Sequence, residues 1–188
     1  DLEGKNIPVF VYTNGDCAEL FLNGRSLGMQ CKKPDASGST ARFRLMWKDV
    51  TYEPGTLVAV AYKEGVQIGQ DTMTTKGKAY SLRLTPDRNV IHAGGMDLSY
   101  ILVEAVDKKG NPCPLDDNSV SFTLSGPARI AGVGNGNPQS MDSFQSSQVK
   151  LFYGKAMLIL QSGDNRGAVD ITATAKGLAK GFATVQVN

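Results

Sequence analysis

Few side chains in this sequence stand where they could do chemistry together. His92 is the single histidine. It lies in Asn89-Val90-Ile91-His92-Ala93-Gly94-Gly95, a short apolar pair running into a glycine turn. A nucleophile triad would need it to converge with a serine and a carboxylate, and no G-x-S-x-G elbow is present. A surface or turn histidine is the expectation. Acid–base cleavage of an acetal needs two carboxylates about 5–10 Å apart. The glutamates are Glu3, Glu19, Glu53, Glu64 and Glu104, and each reads as a solvated side chain on a strand or turn. Asp116-Asp117 beside Asn118 offers oxygen ligands for calcium, but no complete ligand loop follows, so an acidic turn is expected. No catalytic residue, metal ligand or cofactor is expected from this chain.

Other groups deserve the same test. Cys17, Cys31 and Cys113 are an odd set, which makes no disulfide framework, and no Cys/His spacing suggests zinc. Cys17 and Cys31 flank Asn23-Gly24 almost symmetrically, so they could meet across a hairpin. Separate half-buried thiols are the plainer expectation, and a bond stays open. Gly132-Val133-Gly134-Asn135-Gly136-Asn137 has the look of a phosphate loop, but Pro138 and a polar stretch follow where a helix would be needed. Its glycines suit a tight backbone path with positive φ. Trp47, Tyr52 and Tyr62 could offer flat apolar faces to a sugar ring, although one tryptophan near a strand end is more often core.

The elements that would carry these residues are strands throughout. Val9–Thr13, Ala18–Leu22 and Arg25–Met29 are β-like runs, the last two joined by Asn23-Gly24, the strongest short hairpin signal. Pro34–Ser39 reads as a loop. Ala41–Trp47 begins by alternating basic with apolar residues, as a strand with one wet face does. Thr56–Tyr62 and Val66–Thr72 form a second hairpin around Lys63-Glu64-Gly65. The pattern restarts after Thr75-Lys76-Gly77-Lys78. Strands are then expected at Tyr80–Thr85, Leu98–Val106, Ser119–Leu124, Ala128–Ala131, Ala156–Leu160, Ala168–Ala173 and Phe182–Val187, with a long loop from Gly132 to about Lys150. About six strands precede the boundary and seven follow it. The expected fold is all-β: two tandem antiparallel immunoglobulin-like β-sandwiches, residues 1–77 and 78–188.

Composition agrees with a folded protein: 41% hydrophobic and 20% charged residues, net charge +2, both signs interspersed. No basic block points to nucleic acid, and no apolar run approaches the roughly 18 residues of a membrane span. The opening Asp1-Leu2-Glu3-Gly4-Lys5 is neither an initiator start nor a signal peptide, so a longer parent is expected.

Val9–Asn14, then Ala18–Gly28, then Trp47, Tyr52–Leu57 and Ala59–Tyr62, resemble the accessory domain that follows the catalytic barrel in family 2 glycoside hydrolases of β-galactosidase type, typical of gut Bacteroidetes. Leu82–Arg88, Val103–Asp107, Gly110-Asn111-Pro112, Arg129–Pro138 and Ser143-Phe144 resemble the next domain of the same enzymes. The resemblance spans nearly the whole chain in the right domain order. It implies a parent with a sugar-binding-like sandwich, an immunoglobulin-like domain and a barrel bearing two catalytic glutamates, none of which maps here. It further implies a non-catalytic appendage that scaffolds or positions substrate, exported to the periplasm or cell surface of a bacterium. Its partner would be the catalytic domain of the parent chain, with carbohydrate as a further candidate. Trp47, Tyr52, Asn135, Asn137 and Phe144 are the candidate contacts to sugar or to that domain. Two alternatives remain open at this point: a carbohydrate-binding module, and an adhesin-type immunoglobulin-like spacer, since Asp107–Pro112 is also similar to adhesin repeats.

Overall fold

Period-two alternation becomes strand almost wherever it occurs. The computed structural model describes residues 2–34 and 42–188. The chain divides into two compact units, Asp1–Thr75 and Lys76–Asn188. Lys76 and Gly77 therefore go with the second unit rather than the first. The reason is local: the Gly77 amide donates to Asp107 Oδ2 at 2.7 Å.

The first unit holds β1 (Asn6–Val11), β2 (Cys17–Leu22), β3 (Arg25–Cys31), β4 (Leu45–Thr51), β5 (Thr56–Lys63) and β6 (Val66–Thr74). Strands β3-β2-β5-β6 form a four-stranded antiparallel sheet, and β1 pairs with β4 in a two-stranded one. Ala18, Leu20 and Leu22 of β2 meet Leu45, Trp47 and Val50 of β4 in the core. Every residue of β6 is exposed. Asn23 and Gly24 take φ of 51° and 80°, the conformation that an Asn-Gly hairpin turn demands. Asn23 Oδ1 then accepts from the Thr56 amide, and its Nδ2 donates to Pro54 O, which seats the hairpin on the next turn. The strand expected from Ala41 starts only at Leu45, because Arg42 and Phe43 are in a turn. The loop expected at Pro34–Ser39 falls, after Pro34, outside the described residues, as does Ala41.

Cys17 and Cys31 are bonded to each other. They stand directly opposite in the β2–β3 register, with Cα atoms 4.0 Å apart. The Lys32 amide donates to Asp16 O just beyond them, so theirs is a non-hydrogen-bonded position, where antiparallel strands bring side chains closest. The expectation of separate thiols is thus corrected: the bulge between Glu19 and Phe21 shifts the register by one residue and sets the nearly symmetric pair directly opposite each other.

The second unit holds β7 (Ser81–Pro86), β8 (Val90–Ile91), β9 (Leu98–Val106), β10 (Ser119–Ser125), β11 (Ala128–Gly134), β12 (Gln148–Lys150), β13 (Lys155–Ser162), β14 (Gly167–Ala175) and β15 (Gly181–Val187). They form two sheets, β12-β10-β14-β15-β8 and β11-β13-β9-β7. All pairs are antiparallel except β8 with β15. Ile101, Val103, Leu158, Leu160, Val169, Ile171, Val185 and Val187 are fully buried between them. Two short strands lie beyond the expected set. Val90-Ile91 pairs along β15, and Gln148–Lys150 pairs with β10. The loop is accordingly shorter than Gly132–Lys150, since Gly132, Val133 and Gly134 continue β11.

Candidate functional site

The connection from Asn135 to Ser147 is built by its own small polar residues. Asn135 Oδ1 accepts from the Asn137 amide, and Asn137 Oδ1 from the Gln139 amide, both at 3.0 Å. Ser143 and Ser146 hydroxyls accept from the amides of Gln145 and Gln148. These are the local side-chain turns that Asn and Ser favour. Asn135 Nδ2 also donates to Lys150 O at 2.8 Å, tying the loop's start to β12. Phe144 anchors the middle: its carbonyl accepts from the Val133 amide at 2.8 Å. A Cβ on Gly132 would lie 3.2 Å from that carbonyl, and one on Gly134 would lie 3.7 Å from the Phe144 ring. Gly132 therefore makes room for the Phe144 carbonyl, while Gly134 would tolerate a side chain in ordinary contact with the ring. Phe144 is nevertheless 74% exposed and Met141 97%. The loop presents neutral amides, hydroxyls and two large apolar groups, an array suited to contact rather than proton transfer.

Of the expected contact residues, Asn135, Asn137 and Phe144 share this loop. Trp47 and Tyr52 lie apart from it, in the first unit. Trp47 is 6% exposed within the core of the first unit, its Nε1 donating to Gly28 O. Tyr52 is half-buried, its hydroxyl 3.2 Å from Thr75 Oγ1, and Tyr62 is half-buried on β5. The indole packs inward with Leu45, two residues before it on the same face of β4.

The carboxylates are engaged structurally. Glu104, expected to be solvated, is instead buried on β9, where Arg83 Nη2 at 2.7 Å and Lys155 Nζ at 3.3 Å neutralise it. Arg83 and Lys155 lie on the two strands that flank β9, so the sheet register brings them to it. Glu19 accepts from Ser26 and Glu53 pairs with Arg25. Asp116 accepts from Asn118, and Asp117 pairs with Lys150. Asp107 is the most heavily bonded carboxylate. The amides of Gly77, Lys109 and Asn111 and the Asn111 side chain all donate to it. The Gly77 bond, first among these, holds its carboxyl well below the usual range against the opposing effect of burial. His92 is exposed; its amide, not its ring, is engaged, donating to Asp97. Among the described residues no cluster of three or more His, Cys, Asp or Glu side chains could hold a metal ion.

One cluster went unremarked in the sequence. Phe10 and Tyr12 are two apart and share the outer side of β1, and extending the Val11–Leu45 register by one residue sets Tyr12 opposite Arg44. The Arg44 guanidinium lies over the Phe10 ring at 4.5 Å, and its Nη1 donates to the Tyr12 hydroxyl at 3.3 Å. The Arg44 Nε is buried, with no partner among the described residues. The sequence signal was the period-two pair Phe10/Tyr12 facing the basic alternation Arg42-Phe43-Arg44.

The family described as Glycoside hydrolase family 2 C-terminal domain 5 matches residues 82–184, more than half of the chain. The chain belongs to glycoside hydrolase family 2. A second family, a domain of unknown function designated DUF4982, matches residues 4–69. The family 2 chain is 41% identical over 176 residues to β-galactosidase BoGH2A of Bacteroides ovatus, covering 93% of this chain and 20% of that protein. It is 28% identical over 191 residues to a β-glucuronidase of Formosa agariphila, covering 95% of this chain and 19% of that one. The solved structure of a β-glycosidase from Bacteroides vulgatus superposes with a TM-score of 0.91 at 34% identity, over 99% of this chain and 23% of that one. The chain thus spans about a fifth of the length of the curated relatives it matches, as a C-terminal accessory region of a family 2 enzyme.

Proposed function

We propose that this chain is the non-catalytic C-terminal part of a β-galactosidase-type enzyme, and that the Asn135–Ser147 loop is where it meets the rest of that enzyme. The observation that carries the reading is Phe144: its carbonyl is held by the Val133 amide, yet its ring is left 74% exposed. An exposed apolar ring on an anchored stretch of backbone, within a rim of neutral amides, has the make-up of an interface anchor. The 41% identity with a β-galactosidase supports the activity class of the parent. The engagement of Glu104, Glu53 and Glu19 in structural bonds supports scaffolding over catalysis here. The strand order of the second unit, with β8 running parallel to β15 at a sheet edge, supports an immunoglobulin-like topology. The Cys17–Cys31 bond supports export to the periplasm or cell surface, where disulfides persist.

The test is Phe144→Ala in the full-length enzyme. Loss of an interface anchor there should cost about 1–2 kcal/mol of docking free energy and lower activity or thermal stability. The same change in this chain alone should leave its unfolding transition in place. Unchanged kinetics and stability of the full-length variant would overturn the docking role. Turnover of chromogenic galactosides or glucuronides by this chain alone, abolished by a glutamate substitution within it, would overturn the non-catalytic reading.

A further inference from the structure

The geometry points to a second site, on the outer side of β1 and β4, at which Arg44, Phe10 and Tyr12 bind the carboxylate of an acidic sugar. The inference goes beyond the docking reading and concerns the other unit. It begins from a pose that is hard to explain otherwise. An arginine at a strand's start ordinarily extends its guanidinium into water, where all its donors are satisfied. Arg44 instead lies across Phe10 and leaves its Nε dry and unpaired. An unsatisfied N–H on a charged group is costly, and in a native fold it calls for an explanation. What the pose achieves is fixation. The Phe10 ring centroid lies 4.5 Å from the guanidinium carbon, Tyr12 accepts from Nη1, and Nη2 has no partner among the described residues.

With Nε buried and Nη1 sharing a hydrogen with Tyr12, the edge that remains for a ligand is the one between Nη1 and Nη2. That edge is a fork of two N–H groups, and the planar anion matching it is a carboxylate taken bidentately. A neutral hydroxyl would engage one donor and leave the charge unmet. Arg42, just before β4, and Lys48, in the middle of it, are both exposed and add positive charge. Beside the fork stand the rings of Tyr12, 70% exposed, and Phe10, 40% exposed, flat apolar surfaces that suit a pyranose face. Charge and ring together describe a uronic acid, and a glycoside hydrolase is a chain that meets glycans. Preorganisation of the fork lowers the ordering cost of binding.

The experiment titrates this chain with glucuronic acid and digalacturonic acid, using galactose and lactose as neutral controls and acetate as the bare anion. Nitrogen-15 NMR follows the arginine Nε signal and the Phe10 and Tyr12 amides. Expected is saturable binding of the uronates, with the neutral sugars and acetate each weaker by about tenfold or more. Arg44→Lys keeps the charge but loses the fork, and Tyr12→Ala removes the ring and the Nη1 tether. Each should weaken uronate binding by about tenfold while the unfolding transition is kept. Acetate binding as tightly as the uronates would reduce the site to an anion contact and overturn the proposal, as would wild-type affinity in Arg44→Lys or no saturable response. Absence of uronate binding combined with loss of stability in the full-length Arg44→Lys enzyme would assign the fork to a protein carboxylate, again overturning it.

Discussion

In the second unit a five-stranded and a four-stranded sheet face each other, whereas in the first a four-stranded sheet faces only two strands. The difference decides how each is held together. Of the buried apolar side chains among the described residues, seven lie in the first unit and 21 in the second. Strand β6 is left with both faces in water, and large side chains such as Val66 and Met73 stand exposed on it. A sandwich with so thin a filling cannot rely on apolar burial alone, and small domains of this kind are commonly stapled. The Cys17–Cys31 bond and the seating of Asn23 on the Pro54 turn are such staples. The second unit needs none of that kind, and it places its exposed apolar groups at a loop rather than along a strand.

The sharpest test of that contrast is a matched pair of truncations. Leu20→Ala and Leu158→Ala each remove a fully buried leucine, at a cost of about 2–5 kcal/mol. Leu20→Ala should abolish the first unit's transition in calorimetry. Leu158→Ala should lower the second unit's transition yet leave it cooperative. The reverse result would break the comparison. Next comes reduction of Cys17–Cys31. With a sequence separation of 14, chain-entropy arguments give up to about 3 kcal/mol, felt in the first unit alone. Thermal unfolding with and without a reductant measures it, and a shift in the second unit's transition would contradict the staple.

Smaller effects sharpen the account of the second unit. Glu104→Gln leaves Arg83 and Lys155 without their anion, but both are about half exposed and can turn to water, so a loss of roughly 1 kcal/mol is expected from denaturant unfolding. Asp107→Asn tests pH. The folded carboxyl is held below its unfolded value of about 3.9, so its stabilisation is present above that pH and fades as pH falls below it toward the folded value. The variant should be less stable than wild type at neutral pH, and the gap should close as the solution is acidified below about pH 4. A constant gap would mean that shape rather than charge matters. For the same reason a second-unit fragment beginning at Ala79 should be less stable than one beginning at Lys76, which retains the Gly77 amide.

Most of this architecture was legible because half-buried strands write themselves as alternation. Asn23-Gly24 fixed a register, and the family resemblance fixed the domain order. What escaped had weak local signals. Val90-Ile91 is too short to alternate, and it becomes a strand only because β15 offers it an edge. Gly132-Val133-Gly134 looked like loop because glycine carries no pattern, and it is strand because it pairs with Ile159, Leu158 and Met157 of β13. Glu104 looked solvated because its two cations come from neighbouring strands far away in sequence. Trp47 lies in the core, the commoner place for a tryptophan near a strand end, and its alternation with Leu45 sends it inward.

Cys113 is buried, its sulfur 3.7 Å from the carbonyls of Gly77 and Asn111, and burial pushes its thiol up from the ordinary value. Both features withhold the thiolate, the only form that attacks a disulfide. The chain can therefore carry one bonded pair and one free thiol without scrambling them, for as long as the Gly77 segment stays shut over the sulfur. That makes Cys113 a built-in clock. Its rate of alkylation by a small electrophile under native conditions reports how often this seam opens, with no label added and no residue changed.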